Sequence, residues 1–462
     1  MLILHVPDNL LPERRYVADV VFRQFLGIDV AVHVSDRQGV QLTGQDHSRL
    51  ELPDAFFRRT ASTWLASGPG TRLPIAQWNT RELERAPDVL DDEIPILFGE
   101  GGLSVSGRAG ARVVRLPLDI FGSVFFMLTR YEEAVNAARD EHGRFPATAS
   151  LAQQANFLRR PIVDEYVEIL WAVLHSIWPS LVRRNWGFRQ VISCDVDAPF
   201  DLSVRSVKTT VRRVLGDLFK RRRLTMAWDT LHYATEVKRL GVSADRAWRF
   251  EWMMDACERA GTRCAFNFIT DARHQNDGPG YWGRPEIDVL MREVASRGHE
   301  VGLHASYSSV GDADRTKREF ERLKSTSERL GINQETWGGR QHYLRWDVRR
   351  TWRDWASAGL DYDSTLSFAE SPGFRCGTCR PFPVFDLIER RRLSLVERPL
   401  IVMEVSALSP SYLGLDRSQA AETIKGLKNV CRRYGGEFTL LWHNTSLLSD
   451  ADRELYEHVL VS

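Results

Sequence analysis

The chain has almost no net charge, few cysteines for its length and no long apolar run. Lys and Arg total 62 and Asp and Glu 61, a formal net charge of +1 over 462 residues. No global field therefore draws it to nucleic acid or to an anionic membrane, and any basic surface has to be local. No uncharged apolar run reaches the roughly 18 residues that span a bilayer, so no transmembrane helix is expected. The start, MLILHVPDNLLPERR, meets Asp8, Glu13 and Arg14 before an apolar signal core or cleavage site forms, so no signal peptide is expected. Six cysteines (Cys194, Cys257, Cys264, Cys376, Cys379 and Cys431) without an export signal read as reduced thiols, and the expected location is cytoplasmic. There is no internal repeat and no low-complexity tract. What is present is a globular composition, 43% hydrophobic, in a chain long enough for more than one core.

Residues 1–185 mix short apolar runs with Gly-, Pro- and Arg-rich loops and read as an N-terminal α+β domain whose role its residues do not decide. Phe121, Phe125, Leu128 and Tyr131 at helical spacing predict a helix over 120–138 behind an Asp119 cap, and a second helix follows over 163–178. From 186 to 462 short strands alternate with amphipathic helices. The strands are expected in FRQVISCDVD, RCAFNFIT, HEVGLH, ETWGGRQHY, LDYDSTLSF, RPLIVMEVS and GEFTLLWHN. Seven such units imply parallel strands with right-handed crossovers, and the fold class is α/β, a distorted seven-stranded (β/α) barrel beside a separate N-terminal domain. An insertion over about 201–247 interrupts the rhythm. Its VRRVLGDLFKRRRL carries Arg212, Arg213, Lys220, Arg221, Arg222 and Arg223, either a solvated helix face or a grip on an anionic substrate such as a nucleotide- or phospholipid-linked sugar.

In such a barrel, functional side chains come from the C-terminal ends of the strands. Those ends supply Asp195 and Asp197, His304, Arg340 and His342, Asp363, Glu404 and His443. Asp195 and Asp197, two apart on a strand, share a face and repel unless a cation or proton intervenes. One carboxylate could bind a metal while the other serves as base for water; the plainer alternative is a pair of turn-capping acids. His304 or His443 alone would most simply be a structural histidine. Together with the Asp pair they supply the oxygen and nitrogen ligands and the titrating imidazole that metal-assisted hydrolysis requires. Trp442 lies near the expected mouth, where a sugar ring could stack on it. Cys376 and Cys379 in RCGTC could be half a zinc site or a redox pair, but no second pair follows and a loop is the simpler reading.

Residues 189–446 resemble the polysaccharide deacetylase superfamily, metal-dependent amidohydrolases on a distorted (β/α) barrel. The motifs that carry the resemblance are SCDVD, GHEVGLHASYS, GRQHY and LLWHN, with a looser match at DYDSTLSF. It implies Asp195 as catalytic base, Asp197 and His304 as metal ligands, Arg340 holding the base, and His443 as general acid. A closer resemblance, covering most of the chain, is to a bacterial subgroup found with surface-polysaccharide biosynthesis, on DIFGSVFFMLTRYEE, RQHYLRW, PGFRCGTCRPFPVFD and LWHN. It implies removal of an N-acyl group, acetyl first, from an amino sugar in O-antigen, lipopolysaccharide or capsule assembly. The substrate would be a sugar nucleotide, a lipid-linked sugar or an oligosaccharide. Trp442, Asp363 and Glu404 are the candidate substrate-binding residues.

One motif departs from the pattern. Ser308 stands where a second histidine ligand is expected, and a neutral hydroxyl is a poor ligand for zinc or its neighbours. Catalytic sites ordinarily use three protein ligands and an open position. His342 is the candidate third ligand, with Glu404 and His299 behind it, for a divalent metal that is zinc first, with iron, cobalt or nickel also compatible. Two alternatives stay open: a metal-free enzyme using carboxylates such as Asp195 and Glu404, and a non-catalytic sugar-binding or assembly protein that retains the barrel.

Overall fold

The first strand, Leu2–Val6, alternates buried and half-buried side chains, as a sheet covered mainly on one face requires. In the computed structural model, which describes residues 2–36, 39–59, 63–66, 73–108, 110–201, 207–220 and 223–462, it opens a six-stranded sheet. The order across that sheet is Val30–Val34, Leu2–Val6, Val40–Thr43, Arg49–Leu52, Val113–Arg115 and Ser104–Ser106. The helix Ile120–Leu128, buried over its whole length, and the helix Ile162–Ile177 belong to the same portion. The helix expected over 120–138 is broken in two. Arg130 takes a left-handed φ of 52° and a second helix runs only over Tyr131–Val135. At the break the buried Arg130 guanidinium pairs with Glu133 (Nε to Oε1, 2.9 Å) and donates to the distant Arg375 carbonyl, a long-range contact that local helical periodicity does not report.

From Arg189 onward all seven expected strands are present, but they belong to a nine-stranded sheet. Its order is Phe382–Asp386, Arg391–Glu397, Tyr362–Asp363, Gly338–Gln341, Glu300–Ala305, Cys264–Phe268, Arg189–Val196, Glu437–Leu441 and Val402–Met403. Every neighbouring pair is parallel except the hairpin Phe382–Asp386 with Arg391–Glu397. The expected count of seven missed this hairpin, whose first strand follows the loop-like PGFRCGTCRP. Strand order runs as a barrel would, and among the described residues the two outer strands, Phe382–Asp386 and Val402–Met403, do not pair with each other. The sheet is curled and open at that seam.

The two portions are not separated by a solvent gap; their apolar side chains form one hydrophobic core. Tyr16 donates its hydroxyl to the Pro383 carbonyl at 2.8 Å, and Glu13 pairs with Arg390. Buried Arg375 grips Glu133 with two bonds of 3.0 and 2.7 Å. Such bidentate pairing holds where buried charges are otherwise costly. RCGTC lies in this contact: the Gly377 carbonyl accepts from Val163 N, and Asp164 accepts from Cys379 N at 3.0 Å. Both of its cysteines are free and buried, so it is a packing loop as the simpler reading holds.

The insertion is a helical hairpin, Val207–Leu215 and Leu224–Leu240. Its expected basic run is only partly described: Arg221 and Arg222 lie outside the described residues, as does the side chain of Lys220. Asn444 ties both ends together, Nδ2 donating to Ala198 O at 2.9 Å and to Ala247 O at 2.8 Å.

Candidate metal centre and its acid and base

Asp195, near the end of the strand Arg189–Val196, is a buried, fully oriented carboxylate. Its Oδ1 accepts from Arg340 Nη1 at 2.8 Å and from Asn267 Nδ2 at 2.7 Å. Arg340 is itself immobilised, donating to the Ser364 carbonyl at 2.8 Å and to Ser193 Oγ at 3.0 Å. Burial alone would raise the Asp195 pKa, but Arg340 and His304 more than offset it and hold the carboxyl below its ordinary range. Asp195 is therefore an anion whose Oδ2, 3.7 Å from His304 Nε2, is left facing the site.

Two residues on, Asp197 reaches the mouth with a side chain 36% exposed, while His304 and His342 are nearly enclosed. Its Oδ1 lies 3.1 Å from His304 Nε2 and 3.5 Å from His342 Nε2. One ligand atom from each of the three falls within 4.8 Å of the others, the one such group among the described residues. Ligands about 2.0–2.1 Å from a tetrahedral zinc sit about 3.3 Å apart, so these separations suit a shared cation.

The other ring nitrogens explain which atoms face inward. His304 Nδ1 is 2.9 Å from the Arg340 carbonyl, an obligate acceptor, and His342 Nδ1 is 2.8 Å from Asp277 Oδ1. Both rings thus carry hydrogen on Nδ1 and present Nε2, the arrangement by which outer partners orient metal-binding imidazoles. Asp197 Oδ1 is buried and has no hydrogen-bond donor. Three acceptor atoms converge with nothing between them, which is the deficit a cation fills. Burial tends to lower the His342 pKa, but Asp197 and Asp277 raise it to about 9.

His443 approaches from the far side, its Nε2 3.6 Å from Asp197 Oδ2. Glu404 Oε1 accepts from His443 Nδ1 at 2.7 Å, from its backbone N at 2.9 Å and from Ser446 Oγ at 2.8 Å. Burial lowers the His443 pKa, yet Glu404 and the two aspartates lift it to about 10. Fixed protonated, with Nε2 aimed into the site, it is built as an acid.

The candidates therefore divide. Asp195, Asp197, His304, Arg340, His342 and His443 come together. Glu404, fully buried, sits beneath His443 as its orienting partner rather than at a substrate surface. Trp442 is 0% exposed and packs edge-on against Tyr456, ring centroids 5.2 Å apart, so it cannot stack on a sugar. The reason is strand alternation: beside His443, it points to the opposite face. Asp363 is also fully buried, accepting from Thr365 N at 3.0 Å and lying in register with Glu397, not at the mouth. Burial pushes it up to about 7. Runner-up His299 is far off, its Nδ1 accepting from Cys264 N and its Nε2 3.2 Å from Glu258.

Asp277, Asn267 and Asn444 were not among the expected site residues. Asp277 lies in a turn, Gln275–Asp277, and its carboxylate also accepts from Tyr307 N at 2.7 Å. The loop that carries Ser308 is thus anchored by the carboxylate that orients His342. Tyr343 and Leu344, directly after His342, have φ of 62° and 53°. Two consecutive non-glycine residues in that region are a local strain held by the surrounding packing.

Residues 2–179 match a family of unknown function, DUF7033. No curated protein matches the chain in sequence. Among solved structures, one assigned as a polysaccharide deacetylase from Mycobacterium smegmatis is 17% identical with a TM-score of 0.37, covering 60% of this chain and 83% of its own. Another so assigned, from Pseudomonas aeruginosa PAO1, is 14% identical with a TM-score of 0.35, covering 67% and 90%. The allantoinase PuuE is 11% identical with a TM-score of 0.34, covering 59% and 82%.

Proposed function

We propose that the protein is a metal-dependent hydrolase that removes an N-acyl group, acetyl in the first instance, from an amino sugar during surface-polysaccharide assembly. The observation that carries this reading is the convergence of Asp197 Oδ1, His304 Nε2 and His342 Nε2 between an oriented base and an oriented acid. Asp197, His304 and His342 would hold a divalent ion, zinc first, with iron, cobalt or nickel also suited to the nitrogen and oxygen set. When bound, such an ion supplies Lewis acidity toward an acyl carbonyl and an incoming water.

The chain's own residues do the rest. Asp195 Oδ2 takes the proton of the attacking water, its partner oxygen held by Arg340 and Asn267. His443 Nε2 delivers a proton to the departing nitrogen, since an amine leaves only when protonated. Glu404 keeps that imidazole charged and aimed. The amide class is favoured by this pairing of a committed anion with a committed cation. Acetate release from N-acetylated amino-sugar oligosaccharides and sugar nucleotides, measured with and without a chelator, tests the proposal. Release that stops on chelation and returns with added zinc supports it; release indifferent to chelation removes the metal-dependent reading.

A further inference from the structure

The helical hairpin carries apolar side chains that nothing among the described residues covers. Nine of the eighteen exposed large apolar side chains among the described residues lie between 207 and 240, so this is a concentrated surface and not ordinary scatter. Val207, Val211, Leu215 and Phe219 recur every fourth residue, and Leu224, Trp228 and Leu231 follow at i, i+4 and i+7; each set shares a helix face. Phe219, Leu224 and Trp228 are 77, 76 and 71% exposed. Between the helices lies a trough of about 510 Å³ walled by Leu218, Leu224, Ala227, Trp228 and Leu231.

Charge on the same segment identifies the occupant. Residues 207–240 contain nine Lys or Arg against three Asp or Glu, in a chain whose total is +1. Lys208, Arg212, Arg213 and Arg223 are exposed beside the apolar stripes. An apolar helix face with an aromatic anchor and a cationic flank is the chemistry that partitions into the headgroup boundary of an anionic bilayer. Asp217 accepts from Thr230 Oγ1 at 3.1 Å and holds the two helices of the hairpin to each other, and Asn444, next to His443, binds the carbonyls of Ala198 and Ala247 that flank the insertion.

We infer that the 207–240 hairpin docks the protein on an anionic phospholipid surface. Docking rests on the hairpin alone and does not require the hydrolase reading.

The test is co-sedimentation of the full chain with vesicles of phosphatidylcholine and phosphatidylglycerol in equal parts, and with phosphatidylcholine alone. Binding is expected to the mixed vesicles and to weaken with added salt. Phe219→Glu/Leu224→Glu/Trp228→Glu and, separately, Arg212→Glu/Arg213→Glu should each weaken it about tenfold or more. All five positions are exposed, and unchanged thermal melting verifies the fold. Asp195→Asn should sediment as the native chain does, separating this inference from the proposed activity. Native protein that ignores mixed vesicles, binds both compositions equally, or is unaffected by the triple substitution overturns the proposal. So does a lipid-free dimer that the triple substitution splits, which would assign the stripe to a second copy.

Discussion

His342 and Asp277 form a buried imidazole–carboxylate pair, Nδ1 to Oδ1 at 2.8 Å, that fixes which nitrogen of the ring faces Asp197. Removing the charge of that acceptor while keeping its shape should loosen the metal and leave the imidazole in place. Asp277→Asn is expected to weaken zinc binding about 10- to 100-fold. His342→Ala leaves two ligands and should abolish stoichiometric zinc. Calorimetric titration of metal-stripped protein measures both; unchanged affinity in His342→Ala would exclude that residue as a ligand.

The acid and base should separate from the metal site. Asp195→Asn and His443→Ala are each expected to lower kcat by about 10²- to 10⁴-fold, with zinc content unaltered by elemental analysis. Loss of zinc in either variant would instead assign that residue to the metal.

Metal affinity should depend on pH through His342. A proton on its Nε2 competes with the ion, and in the ion-free protein that imidazole titrates at about 9. Apparent zinc affinity is therefore expected to rise with pH up to about 9 and to fall as pH drops, since one proton must be displaced. Titrations in buffers of differing ionisation enthalpy would count that proton.

Trp442 should matter to the fold and not to the substrate. Trp442→Ala is expected to cost about 3–5 kcal/mol by cavity formation, with KM unchanged for whatever protein remains folded. Denaturant melts and saturation kinetics check the two halves of this statement.

Asp363 and Glu397 lie side by side in the core, where burial and mutual repulsion push both carboxyls up, Asp363 to about 7. Folding then favours the protonated forms, and the sign follows: their contribution is full below the unfolded pKa of about 4 and is lost as pH rises through the folded value. Asp363→Asn should be neutral near pH 4 and stabilising near pH 8, read from melting temperatures across that range.

Strand ends were legible from sequence because alternation and spacing are local. Asp195, Asp197, His304, Arg340 and His443 all sit where an apolar run meets a polar residue, and that is where the site formed. His342 was legible by chemical deficit: Ser308 cannot ligate, and an imidazole stood at the next strand end. Asp277 was not, because its role depends on a long loop, Asp271–Arg284, folding back beneath His342, and no periodicity marks such a path. Trp442 was misread although alternation with His443 already placed it on the other face. The hairpin Phe382–Asp386 with Arg391–Glu397 escaped notice because its partner, Tyr362–Asp363, is only two residues long and its flank is covered by distant side chains.

That covering has a consequence for the inheritance of the chain. Tyr16 packs against Phe385 with ring centroids 4.9 Å apart and caps the Pro383 carbonyl, so a residue of the N-terminal portion shields the outermost strand of the nine-stranded sheet. A gene fragment encoding only 186–462 would leave Phe385 and its neighbours bare, a sticky rim prone to pairing with other copies. Exchanging one portion without the other should therefore yield precipitate before it yields a folded chain.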